Sequence, residues 1–130
     1  DRPANLFVAR FIGTPRMNVV TLPVEGGAVM FGSQRVALPD AAAGLARVAL
    51  GQRPEHLRLA GTGMPGLPGR VEHIENLGHE QILTIASDLG PLILRETRDD
   101  AQAALGQPVV LVLDPARLHL FDPQTEARLD

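Results

Sequence analysis

The sequence of 130 residues contains no cysteine, which excludes disulfides, thiolate zinc sites and thiol nucleophiles. It also contains no lysine, so its twelve basic residues are all arginine. A phosphate-binding loop of the G-x-x-x-x-G-K-[ST] type and Schiff-base chemistry both need that lysine. Neither of its two serines, Ser33 and Ser87, lies in a G-x-S-x-G motif. The chain therefore has few candidate nucleophiles and cannot form a lysine-containing phosphate loop.

Aromatic residues and positive charge are also scarce. Four phenylalanines are the only aromatics, and the formal net charge is −3. Because nucleic-acid binders need basic surface and rings on which bases stack, nucleic acid is not an expected partner. No apolar run approaches the roughly 18 residues of a membrane span. The hydrophobic fraction of 45% and charged fraction of 21% are ordinary values for one compact globular unit.

Short apolar segments, separated by glycine and proline, dominate the chain and predict an all-β fold with short helices. The predicted strands are Val19–Leu22, Ala28–Phe31, Arg35–Leu38, Val48–Leu50, Val71–Ile74, Gln81–Ile85, Pro91–Arg95, Pro108–Leu113 and Leu118–Phe121. Gly26-Gly27 suggests a hairpin between the first two strands, and helical turns are expected at Ala41–Ala46 and Asp99–Leu105. The glycine- and proline-rich segment Gly61–Gly69 is the clearest boundary. The strand spacing indicates a closed or nearly closed barrel, since an open sheet would leave apolar edges unpaired.

A short helix is predicted near the start of the chain, at Asn5–Ile12. Asn5 is a plausible N-terminal cap and Gly13 a C-terminal stop, while Phe7, Val8, Phe11 and Ile12 form an apolar stripe. Two turns of helix are too short to be stable alone. The helix is expected to dock either on its own domain or on a part of a longer protein.

One internal repeat indicates a barrel made of two intertwined halves. Val48-Ala49-Leu50 leads into Pro54-x-x-Leu57-x-Leu59, and the same pattern recurs 61 residues later from Val109 to Leu120. In both copies an apolar strand meets a proline turn, and alternating leucines then face one side. Coincidence and genuine duplication both explain so few matched positions.

The four histidines and the acidic residues near two of them are the candidates for metal binding or acid–base chemistry. They are His56, His73, His79 and His119, with Glu72, Glu75 and Glu80. Their spacing matches no dense ligand motif such as H-E-x-x-H, so structural or surface roles are expected for the histidines. The acidic stretch from Glu72 to Glu80 is explained more simply as a solvated strand end than as a catalytic pair.

The tetrapeptide Arg53-Pro54-Glu55-His56 allows two interpretations. The arginine can bind a carboxylate or phosphate bidentately, on a turn that proline makes rigid. Alternatively, an arginine–glutamate pair locks the turn at the rim of the barrel, and the rim serves as a contact surface. Because loops carry function more often than strands, this turn and Leu77-Gly78-His79-Glu80 are the expected sites of partner contact.

Four segments, in order along the chain, resemble a known family. They are Pro3-Ala4-Asn5-x-Phe7-Val8-Ala9-x-Phe11-Ile12-Gly13-x-Pro15-x-Met17-Asn18, Gly51-x-Arg53-Pro54-Glu55-His56-Leu57, Val71-Glu72-x-x-Glu75-x-Leu77-Gly78-x-Glu80 and Asp114-Pro115-x-x-Leu118-His119-Leu120-Phe121-Asp122. They are similar to the C-terminal regulatory region, the transport-associated OB (TOBE) domain, of ATP-binding subunits in ABC importers of carbohydrates and glycerol phosphate. The sequence departs from that family at Glu126, where relatives usually carry glycine after the threonine.

The resemblance implies an OB-like β-barrel over residues 17–130, preceded at residues 1–16 by the helical tail of a nucleotide-binding domain that this chain lacks. It implies no catalysis and no cofactor in this chain, with ATP and magnesium bound in the missing domain. The implied partners are a second copy of the subunit, the membrane-spanning permease subunits and, in some relatives, a regulatory protein. The implied location is cytoplasmic, peripheral on the inner face of the cell membrane.

The resemblance and the two turns together give a set of candidate contact residues. These are Arg53, Glu55, His56, Leu77, Gly78, Glu80 and Phe121. The alternative function is a small-ligand sensor, in which Arg53 and the Gly61–Gly69 loop bind a sugar, a phosphate or another oxyanion at the rim.

Overall fold

The computed structural model describes residues 3–11, 16–61, 63–97 and 103–130. Its regular elements are α1 (Leu6–Phe11), β1 (Asn18–Pro23), β2 (Ala28–Phe31), β3 (Gln34–Ala37), β4 (Arg47–Gln52), β5 (Arg58–Ala60), β6 (Leu67–Leu77), β7 (Glu80–Ser87), β8 (Leu92–Thr97), β9 (Pro108–Val112) and β10 (His119–Phe121). Short 3-10 helices occupy Asp40–Ala42 and Pro115–Arg117. The all-β class with a short N-terminal helix is confirmed. Residues 99–102 of the predicted second helical turn lie outside the described residues.

The strands form three antiparallel sheets around one hydrophobic core. Their orders are β1-β4-β10, β2-β3 and β5-β9-β6-β7-β8. Side chains from all three sheets meet in the core, among them Val29, Leu50 and Leu83. Strand β9, the apolar segment that an open sheet would leave exposed, lies between β5 and β6 and is paired on both edges.

The predicted hairpin between β1 and β2 is wrong. Strand β1 pairs along its whole length with β4, and β2 pairs with β3. The two glycines do form a tight turn, in which Glu25 and Ala28 exchange backbone hydrogen bonds of 2.8 and 3.1 Å. Gly26 and Gly27 have φ values of 59° and 73°, a conformation that favours glycine. Beyond this turn the ladder does not continue: Glu25 and Ala28 form an isolated bridge, and the strand partner of β1 is β4.

The two halves of the internal repeat exchange strands. β4 and β5 belong to the first half, β9 and β10 to the second, and β4 pairs with β10 while β5 pairs with β9. Leu50 lies opposite Leu120, and Leu59 lies opposite Leu111. Leu50 and Leu111 are 61 residues apart, and so are Leu59 and Leu120, so the offset exchanges the two pairs. This favours a genuine internal two-fold relation over coincidence.

The seams between the sheets are held by side-chain carboxamides rather than by backbone ladders. Asn18 of β1 donates to the carbonyl of Ile93 at 2.7 Å and accepts from its N–H at 2.8 Å. Gln34 of β3 makes the same pair of bonds to Leu113, at 3.0 and 2.9 Å. Each carboxamide thus makes the two hydrogen bonds that a residue of a neighbouring strand would make. It pairs a backbone N–H and a carbonyl at an edge that has no strand partner.

Gln52 makes a third and more deeply buried connection of this kind. Its side chain, 1% exposed, accepts from the N–H of Asp114 at 2.6 Å. It donates to the carbonyls of Asp114 and Arg117 at 3.3 and 2.9 Å. These bonds join the end of β4 to the 3-10 helix that leads into β10.

Helix α1 packs on this domain through a face that differs from the predicted one. The predicted N-terminal cap is confirmed, because Asn5 Oδ1 accepts from Val8 N–H at 2.9 Å. Among the helix side chains that the structure describes, the buried ones are Leu6 and Ala9, while Phe7 is 51% exposed; the side chains of Phe11 and Ile12, also in the predicted stripe, lie outside the described part. Leu6 and Ala9 join Met17, Ala49 and Phe121 in a second small hydrophobic cluster, so strands β4 and β10 set which face of the helix is buried.

The C-terminal segment holds α1 in place. The carbonyl of Glu126 accepts from Leu6 N–H at 2.9 Å, and the Arg128 guanidinium donates to the carbonyl of Pro3. Arg128 also lies over the Phe121 ring, 5.6 Å from its centroid. Among the described residues, Glu126 is the one non-glycine with a positive φ, of 67°. A strained residue therefore lies at the point where the two ends of the chain meet.

We expect the substitution Gln52→Leu to lower the free energy of unfolding by about 2–4 kcal/mol, because it leaves buried backbone groups of Asp114 and Arg117 without partners. Urea denaturation measures the change. Gln124→Leu, at an exposed position, is the matched control and should change stability by less than about 0.5 kcal/mol. Equal, small effects of the two substitutions would contradict a structural role for Gln52.

Replacing Glu126 by glycine should raise the free energy of unfolding by about 0.5–1 kcal/mol, because glycine adopts a positive φ without steric cost. Glu75→Gly, at an exposed position within β6, should have the opposite sign, since glycine weakens a strand interior. Thermal unfolding of the two variants distinguishes the outcomes. A lower melting temperature for Glu126→Gly would show that the residue is not strained.

Candidate functional site

The turn after β4 is rigid and lies at the rim of the barrel. The carbonyl of Arg53 accepts from the N–H groups of His56 and Leu57, at 2.9 and 3.2 Å. Pro54 is buried, and its carbonyl accepts from Arg95 N–H of β8 at 3.0 Å. The turn is therefore closed on itself and also attached to the outer edge of β8, as a turn that positions side chains requires.

Glu55 and Glu80, predicted as contact residues from separate turns, share one cleft of about 950 Å³ with Arg95. Arg95 forms a two-pronged ion pair with Glu80, in which Nε donates to Oε2 and Nη2 donates to Oε1. This hydrogen bonding raises the pKa of Arg95, and the charges of Glu80 and Glu55 act in the same direction. Leu57, Leu94 and Val109 also line the cleft, so charged groups surround an apolar floor.

Arg53 and His56 line a different cleft, of about 420 Å³. The other polar side chains on its wall are Arg117, His119 and Asp130. Arg53 and Glu55 thus line separate clefts, and the arginine–glutamate pair at this turn stays a prediction. The Gly61 end of the glycine-rich loop lines the cleft of Glu55, so the structure separates Arg53 from the loop with which it was expected to bind a ligand.

Leu77 and Gly78 lie at the tip of the β6–β7 hairpin. Gly78 has a φ of 70° in a two-residue connection, as a type II′ turn requires at its first central position. Leu77 is 48% exposed, a high value for a large apolar side chain. Glu72, Glu75 and His79 are exposed on the same hairpin, so the tip combines one apolar side chain with negative charge.

Phe121 is not a surface contact, contrary to the prediction. Its ring is 0% exposed and packs with Leu6, Ala9 and Ala49 beneath the Arg128 guanidinium. It is a core residue that supports α1.

The histidines are divided between two places. His73 and His79 are exposed on the β6–β7 hairpin, while His56 and His119 line the smaller cleft. Within the described ranges, no three side chains of histidine, aspartate or glutamate come close enough together to hold a metal ion. In the same part of the chain, no helix has the length and apolar character to cross a membrane.

Burial lowers the pKa of His56, and the positive charge of Arg117 lowers it further, against the opposing effect of Glu55. The Nδ1 atom of His56 is buried and has no hydrogen-bond partner. The ring is therefore held in a place that disfavours its charged form.

Sequence reasoning missed the residues that assemble these clefts. Gln52 sits at the variable position between Gly51 and Arg53, and Arg95 and Arg117 belong to no motif. For Gln52 a signal was present, since an uncharged polar residue ends the apolar run Val48–Gly51. A polar residue in that position must be satisfied if it is buried.

Comparison with known proteins gives a consistent result along the chain. The family model described as "TOBE domain" matches residues 50–121. The sn-glycerol-3-phosphate import ATP-binding protein UgpC of Paracoccus denitrificans is 38% identical over 134 residues, which cover 100% of this chain and 37% of that protein. The trehalose/maltose import ATP-binding protein MalK of Thermococcus litoralis is 36% identical, over 96% of this chain and 37% of that protein. The chain spans a little over a third of the length of these curated relatives.

Among solved structures, a cytoplasmic molybdate-binding protein, ModG, with molybdate bound has the same fold. The TM-score is 0.63 at 18% identity, and the match covers 82% of this chain and 96% of that one. The predicted OB-like fold is thereby confirmed.

The lowered pKa of His56 predicts a pH dependence of stability. Because the unfolded state, with a pKa near 6.5, binds the proton more readily than the folded state, the free energy of unfolding falls as the pH drops below about 7 and levels off below the folded pKa. His56→Gln should lose this part of the dependence. Urea midpoints between pH 7.5 and 5 measure it, and identical profiles for the two proteins would contradict the assignment.

Proposed function

The chain belongs to the TOBE domain family, and from that premise we propose that it is the non-catalytic C-terminal regulatory and dimerisation domain of the ATP-binding subunit of a carbohydrate or glycerol-phosphate ABC importer. The observation that carries the proposal is the similarity to such subunits over 96–100% of this chain. In that protein the nucleotide-binding domain, with its ATP and magnesium, precedes this domain. The permease subunits would place the assembly on the cytoplasmic face of the membrane.

The physical role of such a domain needs no chemistry of its own. If two copies pair about a two-fold axis, the two ATPase domains stay at high effective concentration while they open and close. The freedom lost at each closure is then smaller than for separate subunits. A regulatory protein that contacted both this domain and the ATPase domain would favour one state by its differential affinity for that state.

The β6–β7 hairpin and the adjoining turn are the surfaces that best suit contact with a second copy or a regulatory protein. Leu77 and Gly78 project at the hairpin tip, and Glu55 and Glu80 flank the larger cleft. A large apolar side chain surrounded by charged residues is the usual arrangement of a contact whose centre excludes water. These residues remain the predicted contact set, together with Arg53 and His56 on the smaller cleft.

A second candidate role, sensing a small ligand, has one observation in its favour. The solved structure that shares the fold, ModG, has molybdate bound. In this chain Arg53 can bind an anion, and the same cleft is lined by His56 and Arg117 rather than by the glycine-rich loop.

We expect the chain to form a symmetric dimer at high concentration, and Leu77→Glu to weaken it about tenfold or more, because a charge would then be desolvated at the contact. Sedimentation equilibrium measures the dissociation constant. Leu105→Glu is the matched control, since Leu105 is 66% exposed and lies outside the predicted contact set.

The control variant should dimerise like the wild type. If the wild-type chain stays monomeric at millimolar concentration, and the full-length subunit is also monomeric, the dimerisation role is refuted. If Leu77→Glu and Leu105→Glu weaken the dimer equally, the contact does not lie specifically at the hairpin tip.

A further inference from the structure

The smaller cleft lies where the two halves of the internal repeat meet. Arg53 and His56 come from the turn that follows β4, Arg117 comes from the corresponding connection that follows β9, and His119 is the first residue of β10. The 61-residue offset relates His56 to Arg117, so equivalent positions of the two halves face the same space. Gln52 fixes this arrangement, because it binds the carbonyl of Arg117 from the strand that precedes Arg53.

The charges around this cleft favour an anion. Its lining carries two guanidinium groups and two imidazoles, and Asp130 supplies the one carboxylate. That carboxylate is already paired, because Arg128 Nη2 donates to Asp130 Oδ1 at 3.0 Å from outside the lining. The ion contact between Arg117 and Asp114 is long, at 3.9 Å, and the Arg117 side chain is 58% exposed. Arg117 can therefore turn towards a ligand at little cost.

His56 adds a second kind of donor, on a rigid support. Its backbone is fixed by the hydrogen bond to the Arg53 carbonyl. The positive charge of Arg117 disfavours a charged imidazole here, together with burial and Arg58, while Glu55 and Asp114 oppose them. An anion in the cleft would offset that repulsion and make protonation of His56 easier.

We infer that the cleft between Arg53, His56, Arg117 and His119 binds a tetrahedral oxyanion, either inorganic phosphate or a phosphate monoester of a small polyol. The planar guanidinium fork matches two oxygens of such an anion, and the imidazoles donate to a third. A volume of about 420 Å³ exceeds what the phosphate group needs and leaves room for a small organic substituent. The inference gives the second candidate role a site and a ligand class, and it is independent of dimerisation.

The test is an NMR titration of this chain with inorganic phosphate, glycerol phosphate and uncharged glycerol at constant ionic strength. Saturable shifts of the His56 and His119 ring signals with both phosphates, and a rise in the pKa of His56, are the expected results. Arg117→Gln should weaken the affinity about tenfold, because one charge-assisted contact is lost. Arg35→Gln, at an exposed position on β3, should bind like the wild type.

Shifts that do not saturate, that chloride reproduces, or that saturate in Arg117→Gln with the affinity of the wild type would overturn the inference. Binding of glycerol as tight as that of glycerol phosphate would overturn it too, since the site is assigned from charge. The same samples in sedimentation equilibrium report dimerisation separately. Loss of phosphate binding with an intact dimer would refute this site and leave the dimerisation role standing.

Discussion

Three side-chain carboxamides close a barrel that the backbone ladders leave open. Asn18, Gln34 and Gln52 each accept a backbone N–H and donate to a backbone carbonyl in a distant part of the chain: on β8, directly after β9, and in the connection into β10. A strand edge with unpaired backbone groups is costly when buried and prone to aggregation when exposed. Because each carboxamide offers the donor and acceptor of one peptide group, it continues the ladder without the entropy cost of ordering another strand. The single core shared by three sheets depends on these seams.

The same connections set the geometry of both clefts. Gln52 fixes the connection that carries Arg117 against the turn that carries His56, which brings equivalent residues of the two halves together. The Pro54 carbonyl, bonded to Arg95 of β8, fixes Glu55 beside the Glu80–Arg95 ion pair. Leu77 lies at the same end of this sheet, because the tight turn of the β6–β7 hairpin places it opposite Glu80. Such rigid placement of the predicted contact residues suits the coupling role proposed above.

Local signals predicted local structure well, and distant pairing poorly. A strand was predicted at Gln81–Ile85, and β7 extends it to Glu80–Ser87 with alternating buried and half-buried residues, as the two-residue side-chain period of a strand requires. Asn5 caps α1 because its side chain reaches the free N–H groups of the first turn. The partner of β1, in contrast, depends on competition among all strands. The buried face of α1 depends on the shape of the surface beneath it, so Leu6 and Ala9 are buried where Phe7 was expected. Phe121 was predicted as a contact residue but is buried, because a sequence motif does not show which way a side chain points.

If the carboxamides of Asn18, Gln34 and Gln52 close the barrel, their hydrogen bonds must be as stable as the sheets they join. Native-state hydrogen exchange tests this directly, through the N–H groups of Ile93, Leu113 and Asp114 that donate to the carboxamides. We predict that these three amides exchange only by global unfolding, with the same free energy and denaturant dependence as Leu83 in the centre of β7. Exchange of the three amides through local opening, while Leu83 stays protected, would show that the carboxamide seams open independently of the sheets and would contradict their role in closing the barrel.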